Sequence, residues 1–419
     1  MMRVCQRRHA AVLAVPLLLL AFRARATPPD NVFAALDAAT LVCTCQIEQV
    51  EQPAGARLVI ARAHTGEVLK GSVPVPGGAL AVVQELVFPS DVASVTKGTS
   101  GLCVLEPMPT HSAYRAVLTA GPYFQYAMPK TPVMASSLVE LARQWLALEK
   151  LPAGERTTQR VQLLLARVAD AQVSQDALTE LGSTPELGAL LERIGYDHIG
   201  ALLRDDHLPL DRRRALLTLL VDRHVTAAVA MLQAVHATGL TPFLHQAIVA
   251  LGGSIPVAAL HDDLKAGTDD ERLAGIDALG TSAARSKDDR TRQDAIATLA
   301  AVAAQDGSAA VRIAAVDQLG RIGGDACAAL EPLLGAPDTH VVYAAGRALG
   351  VIGSPAALQT LAQQFKQGSY DAQVAAVFAL REMATPDAMR VLADVKTNPP
   401  DPRLPRVIDF ATGKEAGHN

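Results

Sequence analysis

The chain has 419 residues, half of them apolar but only 4% aromatic, and a formal net charge of −4. That length predicts two or three compact domains, or one small domain followed by an elongated array, and the low aromatic content favours closely packed helices over a large mixed core. The only basic run beyond residue 26 is Arg212-Arg213-Arg214, which argues against a nucleic-acid partner because phosphate neutralisation needs a clustered positive face.

Residues 1–26 have the three parts of an export signal. Arg3, Arg7 and Arg8 open it, residues 10–22 form an apolar run, and Ala24-Arg25-Ala26 precedes Thr27 as a small-residue cleavage site. The run has 13 residues, too few for a spanning helix of roughly 20. Cleavage between Ala26 and Thr27 is the favoured reading, with an uncleaved anchor as the rival. Loss of this segment's five Arg takes the charge from −4 to −9. Arg outnumbers Lys by 29 to 9, which together with the Ala richness reads as a GC-rich bacterial coding bias. The expected location is periplasmic or secreted, with no membrane span after signal removal.

Residues 27–130 have the texture of a small β-barrel or sandwich. Residues 41–47 and 57–60 read as strands joined by a turn at Pro53-Ala54-Gly55. Residues 66–71 lead into a Pro/Gly loop, and 79–88, 102–105 and 114–118 complete a set of five or six strands. This segment resembles a β-domain of secreted bacterial proteins related in fold to the netrin-like and tissue-inhibitor-of-metalloproteinases module. The resemblance rests on Val68-Leu69-Lys70-Gly71, on the apolar strand 101–105 with Glu106-Pro107, and on their spacing from Leu41.

From about residue 135 the apolar period becomes helical. A ten-residue window, Val311-Arg312-Ile313-Ala314-Ala315-Val316-Asp317-Gln318-Leu319-Gly320, recurs at 341–350 and 372–381, and without a gap at 271–280. Looser copies end at Gly252, Leu220 and Gly182. The 40-residue interval between Gly280 and Gly320 holds a further helix around 291–300, so one unit is extended or irregular. Ala at the fourth and fifth positions and Leu at the ninth share one helix face, and Gly at the tenth is expected to stop the helix in a left-handed conformation. Arg272, Arg292 and Arg312 share the second position beside Asp269, Asp270, Asp289 and Asp306, which reads as a polar ladder along the repeat turns. Here the chain resembles the short HEAT-like repeats first described in phycobilisome lyases. The resemblance implies a right-handed superhelical solenoid with a concave binding face, regular over 241–412, with 135–240 as irregular repeats or a connector and 413–419 as a disordered tail. The expected class is α+β by domains.

A search for chemistry finds no recognised centre. An oxidising compartment permits one disulfide from Cys103 to Cys43 or Cys45, which lie on the same strand face, and Cys45 is taken as the partner. The Cys43-Thr44-Cys45 triplet lacks a second pair of metal ligands. Cys327, in an apolar helix, reads as a buried small side chain. There is no His-Glu-x-x-His and no His-Glu pair of the kind found in helical-repeat di-iron hydroxylases. His261-Asp262-Asp263 reads as a solvated helix end, and Arg204-Asp205-Asp206-His207 with Asp211 as a polar inter-helix loop. Ser254 reads as a loop or cap residue, and the lone Trp145 as a core anchor where the barrel meets the first helices.

The expectation is therefore a non-enzymatic scaffold or adaptor of the bacterial cell envelope, with no cofactor and no metal, binding a protein partner. Glu331, Gln359 and Gln363 are the candidate contact residues. The alternative is an enzyme-accessory, lyase-like or metal-dependent protein with a site at the junction of the β-domain and the helices. An extracellular protease inhibitor ranks last. The oligomeric state is not legible in the sequence.

Overall fold

The computed structural model of the protein describes residues 31–51, 58–73, 79–85, 98, 100–107, 113–116, 132–265 and 267–413. The export segment with Ala26 and Thr27, the turn at 53–55 and the tail beyond Gly413 lie outside the described residues. The chain divides into two compact units, Met1–Gly195 and Tyr196–Asn419. The division falls inside the segment 135–240 that reads as irregular repeats.

In the first unit, strands β1 (Leu41–Glu51), β2 (Leu58–Lys70), β3 (Ala79–Glu85), β4 (Ser100–Pro107) and β5 (Ala113–Ala116) close into a barrel in the order β1-β2-β3-β5-β4. All neighbours are antiparallel except β3 and β5. Alternate β1 residues Leu41, Cys43, Cys45 and Ile47 join Ala61, Ala63, Leu80, Cys103 and Leu105 in one apolar core, as the period of two requires. Residues 58–60 and 66–70, read as separate segments in the sequence, belong to one long strand, β2, and residue 57 lies outside the described residues. Gly66 does not break it. A side chain there would collide with Thr44, whose hydroxyl accepts the Glu67 N–H at 2.8 Å where the β1–β2 register slips.

A seven-residue helix, α1 (Val32–Ala38), precedes the barrel, and no sequence periodicity announced it. Asn31 caps it by accepting the Ala34 N–H at 2.9 Å, and Phe33 and Leu36 are buried. The helices α2 (Pro132–Ala147), α3 (Ala153–Arg167), α4 (Ser174–Ser183) and α5 (Leu187–Ile194) follow the strands. Trp145 on α2 is 0% exposed. Its Nε1 donates to Asp37 Oδ1 at 2.8 Å, Phe33 packs on it at 4.7 Å between centroids, and Arg160 lies over its ring while donating to both Asp37 oxygens. Lys70 of the barrel donates to the Leu36 and Asp37 carbonyls at the C-terminal end of α1 and to Glu149, where the helix dipole favours a cation. Trp145 thus anchors the barrel-side helix to the helices after it.

The second unit begins with α6 (Asp197–Arg204) and continues as a two-layer solenoid. One layer holds α7 (Leu210–Asp222), α9 (Thr241–Ala250), α11 (Asp269–Arg285), α13 (Ala309–Ile322), α15 (Thr339–Ile352) and α17 (Tyr370–Met383), each packed on the next. The other holds α8 (Val229–Gln233), α10 (Val257–Asp263), α12 (Asp289–Gln305), α14 (Cys327–Leu330), α16 (Pro355–Gln367) and α18 (Pro386–Thr397), and α19 (Leu404–Ala411) closes the stack against α17 and α18. The recurring windows are the first-layer helices. The 40-residue interval is one repeat whose two helices, α11 and α12, each have 17 residues. Starts are sharp because side chains cap them: Thr268 with Glu271 on α11, and Ser354, Ser369 and Thr385 on α16, α17 and α18.

The tenth-position glycines do not stop these helices. Gly280, Gly320 and Gly350 lie within α11, α13 and α15, and they make room for the next first-layer helix. A Cβ at Gly320 would come 3.0 Å from the Ala348 Cβ, and one at Gly350 would come 3.0 Å from the Ala379 Cα. Left-handed residues occur three positions later, at Gly323 (φ 95°), Gly353 (φ 61°) and Ala384 (φ 50°). Leu279, Leu319, Leu349 and Leu380 are fully buried between layers, as their place in the window predicts.

Candidate functional site

The Arg ladder holds successive repeat turns together. Arg272 pairs with Asp269 of its own helix and with Asp306, 3.1 Å away at the end of α12. Arg292 pairs with Asp289 and with Asp325, and Arg312 with Asp338. These guanidinium groups are about four-fifths buried, so the ladder is a structural staple between repeats and leaves no free cationic face.

Glu331 stands exposed after α14, and Gln359 and Gln363 are exposed one turn apart on α16. All three belong to the second layer or its connections. The large apolar side chains that reach solvent in the repeats lie mostly on the first layer and at the closing helix. Tyr343 is 40% exposed, Val351 67%, Phe378 40% and Phe410 63%. Tyr343, Arg347, Val351, Phe378, Arg381 and Glu382 line a groove of about 310 Å³ between α15 and α17. Phe378 meets Phe410 edge to face at 6.4 Å between centroids. Burial, then Asp371 and Tyr370, push the Tyr343 phenol above its ordinary range. Arg347 is held by Asp317 of the preceding first-layer helix.

The sequence signal for this row was present but weak. Tyr343 and Phe378 occupy the third and seventh window positions, off the Ala/Leu face. Aromatic residues outside the core stripe of a repeat were the available clue. Nearer the start of the same layer the surface is polar. Asp277 on α11 accepts from Gln246 at 3.0 Å and from Gln318 at 2.8 Å.

The cysteines arrange as the favoured reading expected. Cys45 and Cys103 form a disulfide with Cα atoms 6.1 Å apart. Cys43 lies directly opposite Cys103 in the β1–β4 register but is a free, buried thiol, and burial pushes it up to about 11. Cys327 is free and buried in α14.

Two polar motifs take definite roles. Asp206 pairs with Arg213 at 3.1 Å, and Asp205 accepts the His207 N–H, so this segment is a self-bonded turn. Among the described residues no three His, Cys, Asp or Glu side chains are grouped to hold a metal ion. His261-Asp262-Asp263 is not a solvated helix end throughout. Asp263 is 5% exposed and 2.7 Å from His245 Nδ1, while His261 Nε2 meets the Thr298 hydroxyl at 3.0 Å. Burial of Asp263 arises from α9 and α11 folding over it, which local pattern does not reveal. Ser254 lies in a loop and its carbonyl accepts from Gln233, whereas Pro256 occupies the N-cap of α10.

No described helix is long and apolar enough to cross a membrane. No curated protein matches the chain. Among solved structures, human deoxyhypusine hydroxylase in complex with glycerol is 17% identical, with a TM-score of 0.25, over 62% of this chain and 97% of that one. Two engineered proteins are 16% and 17% identical, with TM-scores of 0.29 and 0.26, over 60% and 67% of this chain and 96% and 99% of theirs. The family of HEAT repeats matches residues 296–381, the stretch from α12 to α17 where the windows are most regular, and that stretch has a HEAT-like repeat fold.

Proposed function

We propose that this chain is a non-enzymatic scaffold of the bacterial cell envelope, periplasmic or secreted, that receives a protein partner on the first-layer face of its repeats. The observation that carries the reading is the row Tyr343, Val351, Phe378 and Phe410. Aromatic and aliphatic side chains held on rigid stacked helices are the usual anchors of protein interfaces. Glycine and alanine contacts draw first-layer helices together, while second-layer helices meet less extensively. Closer approach on the first layer supports taking that face as the concave one.

The export signal at residues 1–26 and the Cys45–Cys103 disulfide support an oxidising compartment. The closed five-stranded barrel supports kinship with the netrin-like module and supplies a second contact or docking point. Glu331, Gln359 and Gln363 then form a separate polar contact whose loss matters collectively.

The test is capture from a cell-envelope fraction over a range of salt, using the full chain, a Tyr343→Ser/Phe378→Ser variant and a Glu331→Ala/Gln359→Ala/Gln363→Ala variant. The double variant is expected to lose its partner, because hot-spot anchors contribute about 2 kcal/mol or more each, roughly 30-fold in affinity. Retention of no partner at any salt, or equal capture by the double variant, would sink the reading.

A further inference from the structure

We infer that a cavity beside His245 binds a primary alkylammonium group. It lies among α8, the segment 235–241, the start of α9 and Ile255, has a volume of about 460 Å³, and is separate from the aromatic row on α15 and α17.

The inference starts from how His245 is held. Its Nδ1 is 2.7 Å from Asp263 Oδ2, and Asp263 is 5% exposed. A glycine admits that carboxylate: a Cβ at Gly275 of α11 would come 2.9 Å from the Asp263 Cβ. A carboxylate only accepts, so with the ring neutral its hydrogen sits on Nδ1 and Nε2 is left as an acceptor. Among the described residues nothing bonds to Nε2, and His245 lines the cavity. An imidazole oriented by a buried carboxylate and open on its other nitrogen calls for a ligand that donates a hydrogen bond.

The rest of the lining decides the charge and the body of that donor. Leu232, Leu244, Ile248 and Ile255 supply an apolar wall, so the ligand carries an aliphatic stem. No Lys or Arg lines the cavity, His236 is its second imidazole, and Arg213 pairs with Asp206 at its rim. The Asp263 carboxylate directly behind the ring disfavours a carboxylate or phosphate in the cavity and suits a cationic donor. Thr241 lies one helical turn before His245 on α9 and also lines the cavity, so its hydroxyl can accept a second N–H of the same ammonium. The ammonium chemistry is shared by a free diamine and by a lysine side chain of a peptide.

The full chain, with histidine labelled in the ring, is titrated at pH 8 with n-butylamine, 1,5-diaminopentane, an acetyl-lysine-amide peptide with a free side chain, and n-butanol. A saturable shift of the His245 Nε2 resonance is expected with the amines and none with butanol. Response to the diamine alone identifies a small-molecule site, and response to the peptide identifies a side-chain pocket. His245→Phe and Ile255→Trp are each expected to weaken binding by about tenfold or more. Ile255→Trp leaves the His245–Asp263 pair in place, so it keeps the test valid if His245→Phe misfolds. Equal response to butanol, no saturable shift with any amine, or unchanged amine affinity in a folded Ile255→Trp variant would overturn the proposal.

Discussion

Gly346 faces Ala375 so closely across α15 and α17 that a Cβ on residue 346 would come within 2.9 Å of the Ala375 Cβ. The obstructing atom is fixed to the backbone and cannot rotate away. Replacing a helical glycine by alanine gains about 1 kcal/mol of helix propensity. Overpacking costs about 1–3 kcal/mol and grows with size. Gly346→Val is therefore expected to lower stability by about 1–3 kcal/mol, read as a reduced urea midpoint with an unchanged slope, and Gly346→Ala by less.

Ala384 ends α17 with φ 50°, the position that glycine fills at the ends of α13 and α15. Its Cβ crowds the following backbone in that conformation, a cost of roughly 1 kcal/mol. Ala384→Gly is expected to raise the thermal midpoint of the repeats, even though glycine adds entropy to the unfolded chain. A lowered midpoint would show that the left-handed turn is not what limits this helix end.

Burial pushes the Cys43 thiol up from its ordinary 9.0 to about 11. A raised folded value means that stability from this group is fully present below about pH 9 and is lost as pH rises toward about 11, because the unfolded chain releases its proton first. Denaturant unfolding between these limits is expected to show the decline, and Cys43→Ala to flatten it. At pH 8 the native thiol is expected to resist alkylation, whereas unfolding exposes it. Reducing the Cys45–Cys103 bond, which closes a span of 58 residues, is expected to cost the barrel about 2–4 kcal/mol.

Asp338 lies below the usual carboxylate range, held there first by the Arg312 side chain and then by the His340 N–H. Asp401 is held at about 2 by Arg403. Depressed values contribute stability above the unfolded value of 3.8 that is lost as pH falls below it. Acid unfolding followed by circular dichroism is expected to begin below about pH 4, and Asp338→Asn to make that limb shallower. An unchanged limb would mean that the inter-repeat pair with Arg312 is idle.

Much of the helical array was legible because its packing repeats. Ala315 with Leu319, Ala345 with Leu349 and Ala376 with Leu380 recur at one spacing, and each residue meets the same surroundings one layer further along. The choice of Cys45 as the partner of Cys103 was legible only as a preference, since Cys43 faces the same interior and is the direct register partner. Helix α1 escaped notice because seven residues hold too few turns to display a period. The aromatic row escaped because exposure is a property of neighbouring helices, and the position of Tyr343 and Phe378 off the Ala/Leu face was only a weak local sign of it.

Local chemistry in the chain was thus enough to settle that helices would form from the 30-residue windows, that they would stack, and that strands would precede them. These outcomes follow from side-chain size and period, which act over a few residues. Contacts between distant segments settled the rest. Gly320 and Gly350 turned out to admit a neighbouring helix because that neighbour arrives from the next repeat. Asp263 became a buried partner of His245 because α9 and α11 enclose it. A glycine or an aspartate has the same letter in either role, and only the atoms brought against it by the fold decide between them.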